Sequence, residues 1–322
     1  MKILLTALLI AASTVMQAQE RRRSLGPYTM YEQIVYQAKQ ERIMEWLADD
    51  MNEGRATGTN AGMSVARFIE VLYRQYGLEP LFGGSFYQPF IADSLSGTRG
   101  RNVVGIVRSA VPSDEYVLIS AHYDHLGILN GNVYNGADDN ASGVTVLLNL
   151  ADMLGTMKKT RTGPDKNIIF AALDAKELNM AGSKALVGKL QEREMTDSIL
   201  CAINIDQIGT VLEPVHEADT SFVIVLGEQT LRKENRGLID MCNRYYNIGL
   251  DIDHTFYGSK NFTELFYQLS DQIVFHRAGI PALVFTSGFH RHTYKTTDDP
   301  DIISYPVMKK RTLLIFYLTM ML

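Results

Sequence analysis

The sequence predicts an α/β protein with a doubly wound, mostly parallel central sheet and helices on both faces, preceded by an N-terminal helical segment. Three observations lead there. The runs NVVGIVR, YVLISA, NIIFAAL, LCAINID, FVIVLG and PALVFT are continuously apolar, as strands covered on both faces must be. Helical-length segments alternate with them: GVTVLLNLADML, the run after Gly182, LRKENRGLIDMCNRYY and PVMKKRTLLIFYL. That alternation favours parallel strands wound on both sides. Upstream, Ile34, Ala38, Ile43 and Leu47 recur at roughly helical spacing.

In chain order, Lys2 and the apolar stretch Ile3 to Ala12 form a secretory-signal pattern ending near Ala18, too short for a membrane span. The basic cluster Arg21-Arg22-Arg23 then reads as a solvated tail. Residues 19–322 read as a single α/β unit, with a helical lead-in over about 27–95 and the sheet core over about 100–322. The 322 residues are 46% hydrophobic and 21% charged, enough for one large core. A net charge of −5 without a long basic run gives no reason to expect nucleic acid. Cys201 opens an apolar run and reads as a buried free thiol, although export would permit a disulfide with Cys242. The last ten residues, Leu313–Leu322, read as the end of a core helix, so no stable membrane anchor is expected.

Ligands of such sheets bind beyond the carboxyl ends of the strands. There the sequence places His122 and Asp124 after YVLISA, Asp138 and Asp139 in GADDNASG, Asp174, Lys176 and Glu177 after NIIFAAL, and Asp206 after LCAIN. Each alone has an ordinary structural explanation, such as a helix cap or a satisfied core histidine. Together, acids crowded at one buried edge repel unless a cation neutralises them, and a histidine among carboxylates suits zinc or a similar ion.

AHYDHLG, GADDNASG, DAKEL..AGS and NIDQIG, in this order and spacing, resemble the zinc exopeptidase family of aminopeptidase Y and bacterial leucyl aminopeptidase, with its glutamate carboxypeptidase and glutaminyl cyclase relatives. The likeness runs from about Arg55 to the C-terminus. It implies a zinc exopeptidase-like fold, a peptide substrate or ligand, and one or two zinc ions. By position, His122 and Asp206 would hold one zinc, Asp139 would bridge, and Glu177 would hold the second with a C-terminal histidine. Asp124 would orient His122. A metal-activated water would attack the scissile carbonyl. The Asn140-Ala141-Ser142 sequon inside this motif reads as coincidence.

Two positions depart from that pattern. Lys176 stands where the resemblance implies the general base, and a protonated lysine cannot accept a proton. Its side chain either swings to solvent or partly replaces a metal charge beside Asp139 or Glu177. In SGFHRHTYKTTDDPD, Tyr294 falls at the last ligand position, so His292, His290 and Tyr294 all remain candidates, with His292 preferred. A smaller departure is Ser270-Asp271-Gln272, where relatives often have His third. Three functions stay open: an exported (periplasmic or secreted) zinc aminopeptidase, a non-catalytic relative binding metal or peptide, and a single-zinc glutaminyl cyclase-like enzyme.

Overall fold

The computed structural model describes residues 26–216 and 219–322, so the signal pattern and the arginine cluster lie outside the described residues. After a 3-10 stretch, Gly26–Ile34, come helices α1 (Gln37–Leu47) and α2 (Asn60–Tyr76). The Thr59 side chain caps α2 by accepting from Gly62 N, and Gly77 ends it in the left-handed region at φ 87°. The helical lead-in stops there. Strands β1 (Glu79–Pro80) and β2 (Tyr87–Asp93) follow within the span expected to be helical. Both pair with one edge of β3 (Thr98–Val107), and Pro89 is tolerated because β2 has a free side there.

The remaining elements are β4 (Tyr116–His122), a small hairpin of β5 (Gly127–Leu129) and β6 (Asn132–Tyr134), α3 (Gly143–Lys159), β7 (Asn167–Leu173), α4 (Ala181–Glu192), β8 (Ile199–Ile205), β9 (Phe222–Leu226), α5 (Leu238–Tyr245), β10 (Asp251–Asp253), α6 (Lys260–Phe266), α7 (Gln272–Arg277), β11 (Ala282–Thr286) and α8 (Tyr305–Met321). The main sheet runs β1-β3-β7-β4-β8-β11-β9-β10, with β2 also on β3. Its four central strands, β7, β4, β8 and β11, are mutually parallel. The flanks turn antiparallel at β3–β7 and at β11–β9.

The six apolar runs are all strands, and they are buried because helices cover both faces. Val103, Val117, Ile119, Phe170, Ile203, Val225 and Phe285 face one apolar cluster with residues of α1, α2, α3, α5 and α8. Val104, Leu118, Ile169, Ala202, Ile224 and Val284 face the other with α4 and α7. Alternate residues of one strand thus feed opposite cores, which is why the runs carry no polar phase. Cys201 and Cys242 are buried free thiols. Among the described residues, no helix is long and apolar enough to cross a membrane.

Candidate metal centre

The parallel register gathers the site. His122 pairs with Leu173 across β4–β7, and Ser120 pairs with Asn204 across β4–β8. Residues just past those pairs, His122, Asp174 to Glu177 and Asp206, therefore emerge at one edge. The Ala137–Ser142 turn brings Asp139 to the same edge ahead of α3. Asn140 fastens that turn to the end of β8: its Nδ2 donates to Ile205 O at 2.8 Å, and its Oδ1 accepts from Gln207 N at 3.0 Å. Asn140 is fully buried, so its sequon offers no accessible glycan site.

His122 Nε2 lies 3.3 Å from Asp206 Oδ1 and 3.4 Å from Asp139 Oδ1. Its Nδ1 donates to the carbonyl of Asp124 at 3.1 Å, which assigns the proton to Nδ1 and leaves the Nε2 lone pair facing the acids. The Asp124 carboxylate is farther from that ring, at 3.6 Å, and accepts instead from Lys176 N at 3.0 Å and Glu177 N at 3.1 Å. Asp124 thereby fixes the loop carrying Lys176 and Glu177 relative to His122.

Both carboxylate oxygens of Asp139 are buried and without a hydrogen-bond partner. A buried carboxylate in that state needs a cation. His122, Asp139 and Glu177 each offer one donor atom, all within 4.8 Å of one another. An imidazole nitrogen with carboxylate oxygens is a donor set suited to zinc. The residues therefore fit a metal ion at His122, Asp139 and Glu177, with Asp206 adjoining at 3.3 Å from His122.

The other half of the site is different. Lys176 does not swing to solvent. Its buried Nζ donates to Glu177 Oε1 at 2.9 Å and to the Tyr294 hydroxyl at 3.2 Å, and it lies 3.7 Å from Asp139 Oδ1. Burial opposes its charge, but Asp139, Asp206 and Glu177 outweigh burial and raise its pKa well above the usual lysine value. Burial pushes Glu177 up to about 7 against the pull of Lys176.

The C-terminal loop does not bring His292 to these donors. His290 points inward and pairs with Asp138 at 3.0 Å. Two residues on, His292 faces away, its Nδ1 bonded to Thr297 Oγ1 at 2.8 Å and its Nε2 accepting from Arg291 Nε at 3.0 Å. Two further on, Tyr294 returns to the site. The Thr293 N to His290 O and Lys295 N to His292 O bonds make two successive turns, along which His290 reaches Asp138, His292 reaches Thr297 and the Tyr294 hydroxyl reaches Lys176.

Four supporting residues were not among the candidate site residues of the sequence. Arg55, fully buried, donates to the carbonyls of Leu47, Tyr123, Asn135 and Gly136, clamping the segments that lead into Asp124 and Asp139. The Asp298 carboxylate accepts from Asp138 N and Asp139 N. Asp271 Oδ1 accepts from Ser183 Oγ at 2.5 Å, which gives the AGS segment its role at the start of α4. His125 sits under Gly136, where a Cβ would lie 2.5 Å from its ring, and both its nitrogens are buried without partners. Arg55 stood at the start of the resembling stretch, and His125 stood inside AHYDHLG. Nothing in residue type or spacing marks either for its task.

Beside Lys176 and Asp206 opens a cavity of about 240 Å³ whose walls are chiefly apolar: Leu226, Phe256, Phe266, Leu269, Val284 and Phe289.

An α/β sheet with a histidine–carboxylate cluster at its strand ends has the donor set of a metal-binding protein. Residues 102–319 match peptidase family M28, and the chain belongs to that family. It is 29% identical over 198 residues to aminopeptidase YwaD of Bacillus subtilis, across 61% of this chain and 37% of that one. The matched stretch spans 16 to 37% of the first curated relatives' lengths. Among solved structures, a zinc aminopeptidase from Bacillus subtilis shares the fold at TM-score 0.64 and 17% identity, covering 87% of this chain and 93% of that one. Fimbriiglobus ruber glutaminyl cyclase does so at TM-score 0.71 and 14% identity, covering 89% and 96%.

Proposed function

We propose that this protein is an exported, zinc-dependent exopeptidase of the aminopeptidase type, acting on peptides whose terminal residue has an apolar side chain. The observation that carries this is the apolar cavity opening directly beside Asp206 and Lys176. It has room for one side chain, and a peptide bond next to that side chain would lie beside Asp206. His122, Asp139 and Asp206 hold the ion, with Glu177 alongside. When bound, zinc polarises the scissile carbonyl and acidifies a water. The Asp124 carbonyl accepts from the His122 ring and its carboxylate from the Lys176 and Glu177 N–H groups, keeping that loop in register. Aminopeptidase specificity rests on the likeness to aminopeptidase YwaD and the zinc aminopeptidase of Bacillus subtilis, and export on the N-terminal signal pattern.

Leucyl-4-nitroanilide turnover should vanish on chelation and return with zinc. Turnover that survives chelation, or none at any zinc load, overturns the reading. For export, the mature protein recovered outside the cytoplasm should begin just after Ala18.

One observation favours a second reading. The position of the general base holds Lys176, paired to Glu177 and unable to take a proton while charged. A non-catalytic peptide-binding member would then give no wild-type turnover, yet bind leucyl peptides in a zinc-dependent way. The cyclase-like alternative is dropped if N-terminal glutaminyl peptides are not cyclised.

A further inference from the structure

We propose that the Lys176 ammonium is a built-in cation that takes the place of a second metal ion, so that the centre holds one zinc per chain. The inference rests on the reading of the His122 set as a zinc site and deepens it. The carboxylates on the Nε2 side of His122 and around Lys176 are Asp139, Asp206 and Glu177; Asp124 lies on the Nδ1 side, its carboxylate occupied by two backbone N–H groups. Their three negative charges are balanced by one divalent ion and one ammonium. Two divalent ions plus Lys176 would leave an excess of positive charge in a buried site, which is unfavourable.

Geometry assigns the ammonium to that half. Lys176 Nζ lies 2.9 Å from Glu177 Oε1 and 3.7 Å from Asp139 Oδ1, between the two acids a second ion would need to share. Tyr294 completes the exclusion. Its hydroxyl accepts from Nζ at 3.2 Å, and its ring lies 5.5 Å from the ammonium. The tyrosine thus solvates a lysine where a neutral nitrogen ligand would serve a metal. His292, with its nitrogens held by Thr297 and Arg291, is turned away.

The test is metal content of the purified full-length protein after equilibration with zinc, read by elemental mass spectrometry. Wild type is expected to retain one equivalent, and Lys176→Glu with Tyr294→His is expected to retain two. Should the double variant not fold, Lys176→Gln removes the charge at similar length and is expected to admit a second, weaker equivalent in a zinc titration. Two tight equivalents in wild type overturn the inference while leaving the zinc reading intact. A wild type that binds none overturns both. A folded variant that stays at one equivalent also overturns the inference, because Lys176 would then not be what excludes the second ion.

Discussion

The Lys176 ammonium donates to the Tyr294 hydroxyl at 3.2 Å, so the two positions that break the zinc-peptidase pattern are in direct contact. They are 118 residues apart in the chain. A lysine among buried acids needs acceptors, and a tyrosine provides one where an imidazole would have been a metal ligand. The departures form one altered half-site.

Lys176→Glu places a proton acceptor where the wild type has a donor. General-base catalysis contributes about 10²–10⁴-fold. Turnover of leucyl-4-nitroanilide should rise by about 10²-fold in kcat with KM moved little. Steady-state kinetics at saturating zinc checks this, and an unchanged kcat would count against the base argument.

Asp124 acts through its neighbours. Asp124→Asn replaces one acceptor oxygen by an NH₂ that cannot accept from Lys176 N or Glu177 N. Zinc affinity should weaken about 10–100-fold, the usual cost of losing an outer partner of a metal ligand. Calorimetric titration of the apo-protein reads it.

Arg55→Leu leaves buried carbonyls of Leu47, Tyr123 and Gly136 without their donor. With each unsatisfied buried group costing about 1–3 kcal/mol, stability should fall by about 3 kcal/mol or more. Urea unfolding measures it. A loss under about 1 kcal/mol would mean that water replaces the guanidinium.

Asp271 is fully buried, and burial pushes its carboxyl up to about 6. A folded pKa above the unfolded value of about 3.9 means that the associated stability is present below about pH 4 and lost as pH rises through 6. Asp271→Asn keeps an acceptor for Ser183 and removes the titration. Its stability advantage over wild type, in chelator, should grow between pH 4 and 6 to about 3 kcal/mol and then stay level. A pH-independent difference would reject this assignment.

Phe266 and Phe289 lie 5.1 Å apart in the cavity wall. Phe266→Ala widens the pocket. The preference for leucyl over alanyl anilides in kcat/KM should fall by about 10-fold, the scale of a methylene or two in an apolar pocket. Equal losses on both substrates would place Phe266 outside the side-chain pocket.

The sequence by itself determined the central strands, the main helices and the edge where the chemistry sits, because continuous apolar runs and strand-end acids are local signals. Strands β1 and β2 escaped it: two and seven residues long, at an edge, they owe their pairing to β3 rather than to their own pattern. The candidate ligands His122, Asp139, Glu177 and Asp206 stood out in the sequence because each adjoins a strand end or a motif. The tertiary structure alone decided the rest. It held His292 on Thr297 away from the donors, brought the hydroxyl of the part-exposed Tyr294 to Lys176, and set Lys176 between Glu177 and Asp139. It also recruited Arg55 and Asp298 from remote segments to hold the turn around Asp139. Those outcomes depend on long-range register and on the balance of buried charge, which act between segments far apart in the chain and leave no periodic trace in it.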